Sequence, residues 1–276
     1  MDLTQLCKLN EIVSRIDSQV EAEALLKEFE FIDQATIKYF KDTVTDAECV
    51  VFDDDNKNVK HFIFKGTNSI KDWESNVNFF PVTIQSDKPD FKLHRGFYEQ
   101  WLSLSSWLKK EIFDECNVLH DKRKQLVISG HSLGGAIAII CAIYMQCISE
   151  RLIKRVCTFG APRCLNDDMV EWYNQRLKSR TIRVLNCMDT VPKLPLSGPI
   201  FNYTHVDSTK FEFKFGGCSL IADNPSSSCN MSNVLYYYKK FSSFFKGLML
   251  RSEPHLLTTY LEHVESFTFF TQFPIY

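Results

Sequence analysis

The stretch Gln125-Leu-Val-Ile-Ser-Gly-His-Ser-Leu-Gly-Gly-Ala-Ile-Ala-Ile-Ile140 contains a short apolar run, a serine flanked by glycines, and the start of a second apolar run. Gln125–Ser129 reads as a short buried strand, because Leu, Val and Ile run together and stop at glycine. Leu133–Ile148 reads as a helix of small and apolar residues. Its longest apolar run, interrupted by Gln146, falls short of the roughly 20 residues that span a bilayer. Between the two lies Gly130-His-Ser-Leu-Gly134, a G-x-S-x-G pattern followed by Gly135. A serine held in a sharp strand-to-helix turn needs neighbours without a Cβ. The position of the pattern, directly after a strand and before a helix, therefore marks Ser132 as a nucleophile. His131 reads as structural, since its side chain should point away from that of Ser132.

Working outward, Glu48–Phe52 and His61–Lys65 read as strands around the polar turn Asp53–Asn58. Phe97–Phe113 reads as a helix with Trp101, Leu104, Leu108 and Ile112 on one face. Downstream come a strand at Arg155–Phe159, an amphipathic helix at Asp167–Leu177 and a strand at Thr181–Asn186. This alternation predicts a doubly wound α/β sheet, mostly parallel, with helices on both faces. Phe201–His205 with Lys210–Phe215 reads as a hairpin, Asn224–Ser228 as a loop, and Asn233–Phe245 and His255–Glu265 as helices. Leu6, Leu9, Val13 and Ile16, then Leu25, Leu26, Phe29 and Ile32, make the first forty-odd residues read as helical. The expectation is one domain over 1–276, with 1–45 a helical lead-in.

Composition narrows the classes. Phe 23, Tyr 10 and Trp 4 in 276 residues argue against a disordered chain. Lys+Arg 32 against Asp+Glu 34 leaves a net charge of −2, so no global cation field would attract nucleic acid. Ten glycines lie well below the average usage of about 7%, so glycine should appear where the backbone has no alternative. The ten cysteines form no CxxC pair, which argues against a zinc knuckle. Cys218 with Cys229 is the one pair read as a candidate loop disulfide. The opening MDLTQLCKLNEIVSR has no basic region followed by an apolar one, so it does not read as a secretory signal. With cysteines inside apolar stretches, the expected location is reducing and cytoplasmic.

Gly130-His-Ser-Leu-Gly-Gly-Ala136 joins Phe64-Lys-Gly-Thr67, Asp72-Trp73, His94-Arg-Gly-Phe97 and Thr158-Phe-Gly-Ala-Pro-Arg163. In this order and spacing they resemble the class 3 lipases, α/β-hydrolases that include fungal triacylglycerol lipases, plant acyl hydrolases and diacylglycerol lipases. The resemblance runs from about Cys49 to Leu261 and implies an α/β-hydrolase fold with its nucleophile elbow at Ser132.

A serine hydroxyl needs a base, and the base needs an orienting carboxylate, in the chain order Ser, Asp, His. Asp167 and Asp168 follow Asn166 at a predicted helix start, where capping and the helix dipole account for them. Asp189 lies just past a strand, at the carboxyl edge where α/β sites are built. Asn186–Pro195 also resembles the family segment around the catalytic aspartate, so Asp189 is the expected orienting group. Pro254-His-Leu-Leu-Thr-Thr-Tyr-Leu261 resembles the catalytic-histidine segment, which assigns His255 as the base. His205, in Tyr203-Thr-His205, matches another family landmark and reads as a satisfied structural histidine; His263 lies about two turns beyond His255. The oxyanion donors would be the backbone N–H of Leu133 and, by resemblance, that of Thr67. The family's usual residue before Gly66 is arginine. Lys65 stands there, which suits charge pairing but forgoes a bidentate guanidinium. Ser69–Val77 occupies the position of the family's lid. Ile70, Trp73 and Val77 share a helical face there, and a mobile cover and a fixed helix both remain open.

The expected activity is a serine hydrolase cleaving carboxylic esters of acylglycerols or phospholipids through an acyl-enzyme on Ser132, with no metal or organic cofactor. The alternatives are an esterase for short or polar acyl esters and a non-catalytic lipase-like binding protein. The expected partner is a lipid or ester substrate, with no nucleic acid. The aromatic and basic segment Tyr236–Arg251 reads as a surface helix, and contact with an anionic membrane surface is the alternative.

Overall fold

The computed structural model describes residues 1–54, 56–66, 80–84, 91–117, 124–150, 152–195, 202–214, 217–222 and 256–265; at 112–117, 214, 217–222 and 263–265 only the backbone is described. Its main sheet has eight strands in the order β1 (Asp33–Lys41), β2 (Glu48–Asp54), β3 (Val59–Phe64), β6 (Gln125–His131), β7 (Ile153–Phe159), β9 (Thr181–Asn186), β11 (Thr209–Lys214) and β12 (Gly217–Ala222). β3, β6, β7, β9 and β11 are parallel, while β1, β2 and β12 pair antiparallel at the two edges. A smaller sheet joins β10 (Tyr203–Thr204), β8 (Leu165–Asn166), β5 (Lys92–His94) and β4 (Pro81–Thr83).

The parallel strands follow one another in chain order without reversal. Among the described residues the sheet therefore has no topological switch point, and the doubly wound expectation is corrected in that respect. Crossovers of one hand that always step in one direction leave their helices on one face. Accordingly α3 (Arg95–Asn117), α4 (Leu133–Ile148) and α5 (Asp167–Leu177) share one apolar cluster. In it Trp101, Leu104, Ile137, Met169 and Tyr173 meet Phe62, Phe64, Leu126, Ile128 and Val156 of the sheet. The opposite face is covered by α1 (Leu3–Val13), α2 (Gln19–Leu26) and α6 (Leu257–Glu265). Leu6 and Tyr260 pack on Val127, Phe159 and Val184, and Leu9, Val13 and Leu26 pack on Val50, Phe52 and Ile63. Helices thus lie on both faces.

The helical reading of the N-terminal segment holds only as far as Leu26. Asp2 caps α1 in a capping box and the Ser18 side chain caps α2. Asp33–Lys41 is instead an edge strand, β1. Thr36, Ile37, Tyr39 and Phe40 are strand formers, and the pleat sends Ile37 and Tyr39 to one cluster and Phe40 to the other. The expected hairpin of Phe201–His205 with Lys210–Phe215 is also corrected. Tyr203–Thr204 pairs with Leu165–Asn166 in the small sheet, and β11 turns back into β12. Asn224–Ser228, Asn233–Phe245, the segment 236–251, Cys229 and the Cys218 side chain lie outside the described residues. No helix among the described residues is long and apolar enough to cross a membrane.

Candidate active site

The carboxyl ends of β3, β6 and β9 bring Gly66, Ser132 and Asp189 to one edge of the sheet. Ser132 sits between β6 and α4 with φ 55° and ψ −129°, in a region that non-glycine residues seldom occupy. Such a conformation costs on the order of 1–3 kcal/mol and persists only where its surroundings impose it. The surroundings do so here. The Ser132 N–H donates to the Phe159 carbonyl of β7 at 2.9 Å, and the Ser132 carbonyl accepts from the Gly135 N–H at 2.9 Å. A Cβ on Gly130 would collide with the Gly134 carbonyl, and one on Gly134 with the Phe64 carbonyl. The glycines therefore let strand, elbow and helix approach each other closely. Leu133 opens α4, where the first N–H groups have no intrahelical acceptor and the helix dipole is positive. Its amide thus lies at the positive end of the helix, next to Ser132 in the chain.

Asp189 is almost fully buried, at 1% exposure. Its Oδ1 accepts from the Val191 N–H at 2.9 Å and its Oδ2 from the Tyr260 hydroxyl at 2.6 Å. The Asn186 N–H in turn donates to the Tyr260 oxygen at 3.1 Å. Tyr260 belongs to α6, so this bond fastens the helix that follows His255 in the chain to the aspartate. Burial, and then the Asp189 carboxylate, push the Tyr260 hydroxyl well above its ordinary value, so it stays a donor at working pH. The His131 and Tyr260 rings meet in a T-shaped contact, with centroids 5.8 Å apart. The role of Tyr260 was missed at the sequence level. Its signal is the Tyr260-Leu261 pair, which the histidine segment of the resembled family carries on the short helix after the histidine.

The loop after Asp189 is held from outside. Arg163 Nη1 donates to the Lys193 and Pro195 carbonyls, at 2.5 and 2.8 Å. His205 Nε2 lies 2.5 Å from the Pro192 carbonyl. A carbonyl only accepts, so Nε2 carries the proton. Burial foremost, with Arg183 and Arg163 nearby, holds His205 well below its usual value and hence neutral. This is the satisfied structural histidine expected at that position. Asn166 caps α5, Asp167 and Asp168 fall in its first turn, and Asp167 accepts from Asn202 at 2.6 Å, so neither belongs to the catalytic edge by role.

Thr67, His255 and the lid candidates Ile70, Trp73 and Val77 lie outside the described residues, and His263 is described by its backbone alone. The residue before Thr67 and the residue after His255 are described: Gly66 rests against the elbow, and Leu256 is half exposed at the start of α6.

A serine at positive φ between strand and helix, on the carboxyl edge of a parallel sheet and with a buried aspartate beyond the strand two places along, defines an α/β-hydrolase. The family described as lipase (class 3) matches residues 61–198, half of the chain, and the chain belongs to that family. It is 27% identical over 176 residues to a lipase of Rhizomucor miehei, covering 63% of this chain and 47% of that one. It is 30% identical over 142 residues to a secreted mono- and diacylglycerol lipase of Fusarium solani, covering 51% and 40%. The chain thus spans less than half the length of these two relatives. A solved triacylglycerol lipase whose catalytic centre is a serine-protease triad superposes with a TM-score of 0.62 at 23% identity, covering 76% of this chain and 78% of that one. At that identity it supports the fold.

Proposed function

We propose that the protein is a serine hydrolase that cleaves carboxylic esters of lipids, acylglycerols or phospholipids, through an acyl-enzyme on Ser132. The observation that carries this is the strained Ser132 elbow facing the edge where Asp189 is buried and hydrogen-bonded to Tyr260. In this reading His255 takes the Ser132 proton as the hydroxyl attacks the ester carbonyl. The oxyanion is received by the amides of Leu133 and Thr67, each worth roughly 2.7–4 kcal/mol in the transition state. His255 then protonates the leaving alcohol, and water repeats the cycle on the acyl-enzyme. Asp189 fixes the imidazole tautomer and stabilises the imidazolium. Tyr260, sitting on the helix that follows His255, keeps the aspartate in place. The lipid substrate class is supported by family membership and by the lipases among the relatives.

The test is a chain-length series of nitrophenyl esters beside an emulsified diacylglycerol and a phospholipid. Turnover that persists or rises with long acyl chains, and is absent in Ser132→Ala, is expected. A steep fall beyond short chains would replace the lipase reading by an esterase. Lipid binding without turnover of any ester would leave only a binding protein.

A further inference from the structure

Lys65, the residue in the chain just before Gly66, carries a buried ammonium group. Its side chain is 6% exposed. Nζ donates to the Ile16 carbonyl at 2.7 Å, to Asp17 Oδ1 at 2.5 Å and to Glu48 Oε2 at 3.0 Å. An ammonium has three protons, and these acceptors use all of them. Ile16 and Asp17 form the turn between α1 and α2, in the N-terminal segment that holds none of the family motifs. The Lys65 N–H also donates to the Glu48 carbonyl at 3.0 Å, which extends the β2–β3 ladder to the last residue before the loop. Glu48 is itself held from β1, by the Tyr39 hydroxyl at 2.6 Å and Lys41 Nζ at 3.2 Å. Beyond Lys65, a Cβ on Gly66 would lie 2.6 Å from the His131 carbonyl and 3.4 Å from the Ser132 Cβ. The backbone at 66 is thus in contact with the elbow that carries Ser132 and the Leu133 amide.

We propose that Lys65 is a positioning residue of the nucleophile elbow: its ammonium locks the end of β3, with Gly66 against His131 and Ser132, to the turn between α1 and α2, and so holds Ser132 and the Leu133 amide in place. This rests on the hydrolase reading above. It gives the N-terminal segment a part in catalysis that its lack of motifs conceals.

An oxyanion donor acts only if it lies about 2.7–3.1 Å from the oxygen it receives. Displacing such a group by 1 Å costs on the order of a hundredfold. The oxyanion forms only in the transition state, so loosening this anchor lowers kcat and leaves KM in place.

The experiment compares two buried lysines at opposite ends of β3. Lys60 is also buried, bonded to Asp53 at 3.0 Å and with Glu111 at 3.8 Å, but at the amino end of the strand. Each lysine is replaced by methionine, and kcat and KM are measured on a soluble ester per phosphonate-titrated site. Lys65→Met is expected to lose roughly ten- to a hundredfold in kcat with KM within about twofold. Lys65→Arg, which keeps the charge, is expected to recover most of the loss. Lys60→Met is expected to lower the unfolding midpoint with kcat within about twofold of wild type. Unchanged kcat in Lys65→Met, or an equal loss in Lys60→Met, overturns the proposal. If Lys65→Met does not fold, Asp17→Ala at the exposed end of the anchor replaces it. The expected kcat loss is then about two- to fourfold with KM unmoved, and no loss overturns the proposal. A wild-type protein that neither reacts with the phosphonate nor turns over ester would instead defeat the hydrolase reading itself.

Discussion

The two faces of the main sheet are built differently. The face under α3, α4 and α5 is held by apolar packing around Trp101, Ile137 and Tyr173. The face under α1, α2 and α6 is packed too, and its buried polar ties reach the edge that carries Ser132, whereas those of the first face, such as Tyr173 to Thr181 and Lys60 to Glu111, lie away from it. Asn10 Nδ2 bonds Ser129 Oγ at 3.0 Å, three residues before the nucleophile. Lys65 bonds the α1–α2 turn, and Tyr260 bonds Asp189. Apolar contact is non-directional and tolerates small shifts, whereas a hydrogen bond fixes direction as well as distance. In the proposed hydrolase, the crossover face therefore mainly stabilises the fold, and the terminal face positions the edge that carries Ser132 and Asp189.

Substitutions at the edge itself should be the most damaging to rate. Ser132→Ala or Asp189→Asn is expected to lower kcat by about 10⁴-fold or more, read from ester turnover. The two faces should then separate. Trp101→Ala, in the crossover core, is expected to cost about 3–5 kcal/mol in urea unfolding while the folded fraction keeps its kcat. Tyr260→Phe removes the hydrogen bond to the buried carboxylate and the acceptor of the Asn186 N–H. It is expected to lower kcat roughly tenfold, about 1.4 kcal/mol, with a smaller loss of stability than Trp101→Ala. A Tyr260→Phe enzyme with full kcat, or a folded Trp101→Ala enzyme with little, would break the distinction.

A pH-dependent effect on stability, rather than on rate, concerns both faces alike. His61 stacks on Phe52 and His94 on Phe97, and burial pushes each down to about 3. Between that value and the unfolded value near 6.5 the unfolded chain binds more protons than the native one. Stability should therefore be full above about pH 6.5 and fall as the pH drops towards 3, by up to about 1.4 kcal/mol per unit for each histidine. Urea midpoints between pH 7 and 4 measure this, and His61→Leu and His94→Leu should each flatten the slope.

Much of this arrangement was legible in the residues. The bounds of α4, α5 and β9 match their apolar patterns, and the glycines around Ser132 announced the elbow. β1 escaped because Phe29 and Ile32 continue a helical spacing just before it, and an edge strand with one fully buried residue, Ile37, gives little alternation. β10 has two residues, too few for any period. The Lys65 and Tyr260 ties were illegible for another reason. Their partners lie 48 and 71 residues away, and only the packing of α1, α2 and α6 on the sheet brings them together.

A fluorophosphonate probe followed by peptide mass spectrometry reads whether this edge activates Ser132. One adduct is expected, on Ser132, absent in Ser132→Ala and formed much more slowly in Asp189→Asn. An unlabelled wild-type protein, or a label on another residue that survives Ser132→Ala, would contradict that activation.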